Sequence, residues 1–422
     1  MTLSLSSACR PLQGCVKLPG DKSLAHRAAL FAALAEGVST VRNYPDSGVT
    51  RAMRGALESL GVPSRLEGGV MTLAGKGFRP FPRPSAAVWC GNSATTIRLL
   101  AGALAGTRSS AVLDGSAGLR RRPMDRIAEP LRLMGADVAT TDGHAPITIS
   151  PAPLHGIDYI LPVASAQVKS CLELAALGAD APVTLHEHEP SRDHTARMLR
   201  AMGATVVSSG LTETVHPATS LKPLDGTLPG DISSAAFLLA AAAIVPGSRV
   251  TLSDVGLNPT RTGVLDILSA MGAHISISNR REEFGEPAGD VTLEYAPLHG
   301  VEISGDLVVR AIDEFPALAA VAAFADGETS VHNAEELRYK ETDRIAAIVA
   351  QLGALGAEVE ERPDGFTVRG GTLKGGTARA NGDHRLAMSM AICGLRTPVA
   401  VEGAEILNES FPEFEPLISS LM

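Results

Sequence analysis

Aromatic residues make up only 4% of this 422-residue chain, with one Trp and four Tyr. Ring stacking cannot fill its cores, so Ala, Leu, Val and Ile must, and small side chains suit helices that pack closely. Cysteine is also scarce. Cys9, Cys15, Cys90, Cys171 and Cys393 are odd in number, scattered, and form no Cys-x-x-Cys pair, which reads as free thiols in a reducing cytosol. Positive charge is not in excess: a formal net charge of −9 argues against a broad nucleic-acid or anionic-membrane surface, so any positive site must be local. No apolar run can cross a bilayer, since the longest, around Ala235 to Pro246, ends in Pro-Gly and reads as a buried helix. The first ten residues lack the basic start and apolar core of a signal peptide, and a cytoplasmic location is expected. No Ser/Gly linker or low-complexity segment marks a domain border. His384 has no second ligand at metal spacing, and no Gly-x-Ser-x-Gly elbow occurs, so neither a metal site nor a Ser-His-Asp triad is indicated.

What is present is repetition. The length suggests two domains of about 200 residues each, and a hydrophobic content of 45% can supply both cores. Leu60-Gly61-Val62, Met134-Gly135-Ala136, Met202-Gly203-Ala204, Met271-Gly272-Ala273 and Leu355-Gly356-Ala357 each close a helical run. Most precede a short β-type stretch such as 138–141, 205–208 or 274–278. Between these marks lie Ala-rich segments that read as helices at 23–36, 95–105, 166–177, 233–244, 316–325 and 386–394. The pattern predicts about six small α/β units, three and three, in mixed sheets.

Polar residues collect at the starts of those Ala-rich helices: Lys22, Ser23 and Arg27; Asn92, Ser93, Thr95 and Arg98; Ser165, Gln167 and Lys169; Asp231, Ser233 and Ser234; Asp313 and Glu314; Asp383, His384 and Arg385. N-capping explains Ser, Thr and Asp but not cations, which oppose the positive end of the helix dipole. Anions held by free N–H groups and cationic side chains would explain both. The first helix reads as capped by Asp21 or Ser23 and closed by Gly37 as a left-handed C-terminal residue. Gly20-Asp21-Lys22 lacks the glycine spacing of a P-loop. Arg120-Arg121-Arg122-Pro123 reads as an extended or loop basic triple, either solvated or suited to bidentate phosphate or carboxylate binding. Lys340 and Arg344 share a helical face in this reading, and alone would make an exposed surface helix. Ser191-Arg192-Asp193-His194-Thr195 reads as a helix start with an added cation. Asp313 and Glu341 are the acid/base candidates, and the sequence does not assign the proton between them.

Taken in order, these motifs resemble the 5-enolpyruvylshikimate-3-phosphate synthase family almost end to end. The resemblance rests on Leu-Pro-Gly-Asp-Lys-Ser-Leu-Ala-His-Arg at 18–27, Gly-Asn-Ser-Ala-Thr-Thr-Ile-Arg at 91–98, Arg-Arg-Pro-Met at 121–124, Ala-Ser-Ala-Gln-Val-Lys-Ser at 164–170 and Ser-Arg-Asp-His-Thr at 191–195. It continues through Pro-Gly-Asp-Ile-Ser-Ser-Ala-Ala at 229–236, Asn-Pro-Thr-Arg-Thr-Gly at 258–263, Ile-Asp-Glu-Phe-Pro at 312–316, Lys-Glu-Thr-Asp-Arg at 340–344 and Asp-His-Arg at 383–385. It implies a two-domain inside-out α/β barrel fold with three repeats per domain, residues 1–18 joining 229–422 and residues 19–228 forming the other domain, with the active site in the cleft between them. The implied reaction moves the enolpyruvyl group of phosphoenolpyruvate to the 5-hydroxyl of shikimate 3-phosphate and releases phosphate. No metal or organic cofactor, no nucleic acid and no membrane partner is implied, and a monomer is expected.

Carried over by motif, Lys22, Ser23, Arg27, Ser165, Ala166, Gln167, Ser191, Asp313 and Lys340 would hold shikimate 3-phosphate. Lys22, Asn92, Ala94, Arg122, Gln167, Arg344 and Arg385 would hold phosphoenolpyruvate. Asp313 would act as base and Glu341 as acid, with Lys22 assisting either transfer. Three positions depart from a common form of the family pattern. Ala94 stands where many members have glycine, Ala166 where a second serine can follow Ser165, and Glu409 where some have lysine before Phe411-Pro412. The Ala94 methyl is expected to project toward the phosphoenolpyruvate pocket and to reduce sensitivity to the family's inhibitor glyphosate. The alternatives are a related UDP-N-acetylglucosamine enolpyruvyl transferase, although the loop at 115–123 lacks the cysteine that enzyme uses, and a non-catalytic anion-binding protein on the same scaffold.

Overall fold

The Ala-rich segments form six central helices: α1 (Lys22–Leu34), α2 (Ala94–Gly106), α3 (Ala166–Ala176), α4 (Ile232–Ile244), α5 (Phe315–Ala322) and α6 (His384–Cys393). The computed structural model describes residues 1–5 and 10–422, so Cys9 lies outside the described residues. Every residue of α4 and of α5 is buried, which accounts for their lack of a polar stripe. Alanine sets how closely these helices approach, helped by glycine where backbones touch. A Cβ on Gly102 of α2 would lie 2.0 Å from the Cys171 carbonyl oxygen of α3. Cys90, Cys171 and Cys393 are buried thiols pushed up to about 12 by burial, which leaves them unreactive.

Each central helix is followed by a strand and then by a further helix, and in five of the six repeats a glycine closes that helix. Those five helices, Gly48–Ser59, Asp125–Leu133, His194–Ala201, Gly263–Ala270 and Arg344–Ala354, end at the glycine marks read from the sequence. Gly61, Gly135, Gly203, Gly272 and Gly356 all have positive φ, the left-handed conformation that closes a helix at least cost to glycine. The sixth repeat also adds a helix, Phe414–Leu421, but no glycine follows it, which is why there are five marks. Gly37 does not close α1. The helix ends at Leu34, Ala35 is its extended C-cap, and Gly37 lies inside the strand Glu36–Arg42.

The repeats share a sheet plan. In the sheets built on Glu36–Arg42, Ala111–Asp114, Val183–His186 and Glu328–Val331, the strand after the central helix pairs in parallel on one side and antiparallel on the other. A parallel neighbour requires a crossover, and in three of these four sheets a central helix supplies it. Arg249–Gly256 repeats the plan, pairing in parallel with Gln13–Lys17 and antiparallel with Glu286–Glu294. The six sheets among the described residues are open, with three or four strands each, so the term barrel does not fit any one of them.

The chain divides into two compact units. One comprises Met1–Pro19, Pro229–Arg281 and Pro287–Met422, and the other Gly20–Leu228 with Glu282–Glu286. Each has its own buried apolar core. Leu-Pro-Gly-Asp occurs at both main passages, 18–21 and 228–231, and the local physics is the same at each. Proline ends the incoming strand, glycine permits close approach, and aspartate caps the next helix. A Cβ on Gly20 would lie 2.2 Å from the Asn43 carbonyl oxygen, and one on Gly230 3.0 Å from the Leu18 Cβ. Asp21 accepts from the Leu24 N–H and Asp231 from the Ser233 N–H, each at 2.9 Å. The expected boundary put all of 229–422 in one domain, but the turn 282–286 groups with the other unit. There Glu286 meets His194 Nδ1 at 2.8 Å and Arg197 donates to the Gly285 carbonyl.

Candidate active site

In the unit built on 20–228, side chains tie the first turns of α1, α2 and α3 together. Lys22 opens α1 and is half-buried, as is Ser23. Arg27, one turn on, is buried and donates to Thr195 Oγ1 at 2.8 Å, to Ser170 Oγ at 2.7 Å and to the Ser23 carbonyl at 3.0 Å. Burial pushes its guanidinium down to about 10, which still leaves it charged at neutral pH. His26 donates from Nδ1 to the Lys22 carbonyl and meets Ser93 Oγ through Nε2. Burial pushes His26 down to about 4, so the imidazole is neutral and its two ring nitrogens join α1 to the cap of α2.

Ser93 caps α2 by accepting from the Thr96 N–H. Ala94, the first residue of that helix, is buried, and Asn92 just before it is exposed and accepts from Ser116 Oγ. Arg98 donates to Gln167 Oε1 and to the Pro123 carbonyl, while Gln167 Nε2 donates to Thr95 Oγ1. Gln167 is thus fixed in orientation by α2 although it belongs to α3. Ser165 is the N-cap residue of α3 but makes no side-chain cap bond, unlike Asp21 and Ser93. Its hydroxyl is not spent on the helix. Ser165, Ala166 and Gln167 are all half-buried.

The basic triple is less extended than its sequence suggests. Arg120 closes a short helix, Ala117–Arg120, and binds Asp114, whose carboxyl that hydrogen bond holds below its usual range. Arg122 precedes Pro123 in the loop and is half-buried. Ser191 is buried against Glu187, which accepts from both its N–H and its hydroxyl.

In the other unit, the starts of α4, α5 and α6 form a denser charge cluster. Arg344 is 1% exposed and places its three nitrogens on three carboxylates: Nε to Asp383 at 2.7 Å, Nη1 to Asp313 at 3.2 Å and Nη2 to Glu341 at 2.5 Å. Burial alone would lower its pKa, but Asp383, Glu341 and Asp313 more than offset this and raise it. Asp383 is itself wholly buried, and its second oxygen caps α6 at the Arg385 N–H. Asp313 meets three cations, with Lys340 Nζ at 3.6 Å and Arg385 Nη2 at 3.9 Å besides Arg344. Arg385 also donates to the Asp313 carbonyl, and Ser233 of α4 bonds Glu314 at the start of α5. His384 is pushed down to about 4 by burial and is neutral. Lys340 and Arg344 do not share a helical face: Lys340 follows the 3-10 turn Glu335–Tyr339, and Arg344 opens the next helix with its side chain buried. Glu409 is exposed at the end of the turn Ala404–Glu409.

The profile of the family described as EPSP synthase (3-phosphoshikimate 1-carboxyvinyltransferase) matches residues 7–418. The chain belongs to this family. A 3-phosphoshikimate 1-carboxyvinyltransferase of Syntrophomonas wolfei is 44% identical over 423 residues, covering 99% of each chain. The solved EPSP synthase of Acinetobacter baumannii is 40% identical with a TM-score of 0.90, covering 100% of this chain and 98% of that one. The enolpyruvyl transferase NikO of Streptomyces tendae, 19% identical with a TM-score of 0.78 over 98% of this chain and 95% of that one, shares the fold. Among the described residues, Glu187, Glu173 and Glu213 escaped sequence reading. Of these only Glu173 carries a sequence signal: a carboxylate four residues after Lys169 in an otherwise apolar helix.

Proposed function

We infer that the chain transfers the enolpyruvyl group of phosphoenolpyruvate to the 5-hydroxyl of shikimate 3-phosphate, releasing phosphate, as the family's enzyme. The reaction draws on both clusters. Lys22, Ser23, Arg27, Ser165, Ala166, Gln167, Ser191, Asp313 and Lys340 hold shikimate 3-phosphate, and Lys22, Asn92, Ala94, Arg122, Gln167, Arg344 and Arg385 hold phosphoenolpyruvate. The 5-hydroxyl gives its proton to Asp313 and bonds to C2 of phosphoenolpyruvate. Glu341 protonates C3, giving a tetrahedral adduct. Loss of the C3 proton and of phosphate from C2 then restores the double bond, with Lys22 supporting proton transfer. The cations stabilise the charge on the adduct and on departing phosphate.

The observation that carries this reading is the Arg344 guanidinium, which holds both acid/base candidates on neighbouring nitrogens of one planar group. Three of its five N–H donors point at carboxylates, leaving two for an anion. The test is phosphate release from phosphoenolpyruvate with shikimate 3-phosphate, compared with UDP-N-acetylglucosamine. Release with the first alone is expected. Release with the second alone would make it the other transferase, and release with neither would favour an anion-binding protein.

A further inference from the structure

Lys169 and Glu187 have no part in the chemistry above, yet their charges are among the most deeply buried in their unit. Their side chains are 3% and 8% exposed, with Nζ 2.6 Å from Oε2. Burial pulls the Lys169 ammonium down, but Glu173, Glu187 and Glu213 around it more than offset this, so it stays charged. A buried ion pair seldom adds net stability, because desolvation cancels most of the Coulomb gain. What this pair does is visible in its second contact. Glu187 Oε1 accepts from the Ser191 N–H at 3.2 Å and from the Ser191 hydroxyl.

Lys169 lies one turn beyond Ser165, so the same rigid helix start carries Ser165, Gln167 and, through Glu187, the anchor for Ser191. The next residue of α3 holds the far end of the same segment. Thr195 Oγ1 donates to Ser170 Oγ at 2.7 Å and accepts from Arg27. Residues 187–195 are therefore pinned to α3 at two consecutive positions.

We propose that Lys169 and Glu187 are positioning residues for shikimate 3-phosphate, the ion pair setting Ser191 in register with Ser165 and Gln167. The proposal rests on the reading of Ser191 as a substrate contact. The two Glu187 oxygens divide the work, Oε1 accepting both Ser191 donors and Oε2 meeting Lys169 Nζ. The ordering of the Ser191 segment then takes place during folding and adds nothing to the cost of binding.

The test combines steady-state kinetics with calorimetric binding of shikimate 3-phosphate alone, on wild type, Glu187→Gln, Glu187→Asp, Lys169→Arg, Ser191→Ala and the double variant Ser191→Ala/Glu187→Gln. Glu187→Gln should raise Kd and KM for shikimate 3-phosphate about tenfold, while kcat and KM for phosphoenolpyruvate stay within about twofold. Lys169→Arg, which keeps the cation, should retain near wild-type values. In the Ser191→Ala background the Glu187 change should add less than about twofold, because the two act through one contact. Glu187→Asp keeps the charge but shortens the reach, so it should show the same KM shift and stands in if the glutamine variant does not fold. Unchanged affinity in a folded Glu187 variant would overturn the proposal, as would penalties of Ser191→Ala and Glu187→Gln that multiply. A wild-type protein that releases no phosphate with shikimate 3-phosphate would instead overturn the functional reading.

Discussion

Arg344 concentrates three carboxylates on one buried guanidinium, and the roles of two of them can be separated by charge-neutral substitution. Asp313→Asn and Glu341→Gln should each lower kcat by about 10²- to 10⁴-fold, the usual span for a positioned acid or base. Their pH–rate profiles should differ. Loss of the base removes the limb that falls on the acid side, and loss of the acid removes the alkaline limb. With Asp313 as base, its asparagine variant is the one without the acid limb, and the opposite outcome would exchange the two roles. Ala94 gives a second residue-scale prediction. Its methyl is buried at the first position of α2, and facing phosphoenolpyruvate, as proposed, it is an obstacle to glyphosate, the longer inhibitor that the family resemblance implies. Ala94→Gly should tighten glyphosate inhibition by about tenfold, on the scale of one or two lost clashes, and equal, tight inhibition of both proteins would refute the assignment.

Helix starts and helix contacts are where elements decide function. Asp383 is both the cap of α6 and the partner of Arg344 Nε. Asp383→Asn keeps the cap oxygen but turns an amide toward a buried cation, and should cost about 3–5 kcal/mol, as for a broken buried pair. A fall in the guanidinium unfolding midpoint checks this, and an unchanged midpoint would mean that the cluster relaxes around the loss. Gly102→Ala addresses the other kind of element contact. Its Cβ would fall 2.0 Å from the backbone oxygen of Cys171, which cannot swing away as a side chain could. The α2–α3 pair must then separate, and a loss of about 1–3 kcal/mol is expected from overpacking. Because that shift also moves Gln167 against Arg98 and Thr95, substrate KM should rise with it.

Across the whole molecule, buried titratable groups of opposite sense set a pH optimum of stability. His26 and His384, one in each unit, are pushed down to about 4 from the usual 6.5. Their contribution is complete above about pH 6.5 and is lost as pH falls toward 4, about 3 kcal/mol for each by linkage. Glu173 works in the other direction. Burial first, then Glu213 beside it, raise its pKa well above the usual carboxylate value, so its contribution is complete at acid pH and is lost as pH rises. Unfolding free energy should therefore fall between pH 7 and 4.5, His26→Gln and His384→Gln should flatten that fall, and Glu173→Gln should flatten the decline on the alkaline side. Denaturant titrations at several pH values measure all three, and a pH dependence between 7 and 4.5 that is unchanged in both histidine variants would contradict the histidine assignment.

The repeats were legible in sequence because they are local: alanine composition, a glycine that must adopt positive φ, and a capping aspartate each act within a few residues. The six central helices and the five Gly-closed helices follow from those signals, and so does the gathering of polar residues at helix starts. Family motifs added the candidate site residues by name. The sequence could not show which cations are spent inside the protein, because that depends on groups far apart in the chain. Arg27 reaches Thr195, Arg98 reaches Gln167, and Arg344 reaches Asp313 and Asp383. Nor could it show that Lys340 and Arg344 fall on different elements, or that Glu187 commits itself to Lys169 and Ser191. Local signals determined which elements form and where charge must sit. Tertiary structure alone decided which charges meet, since the energy of a buried ion depends on its partners and not on its neighbours in sequence.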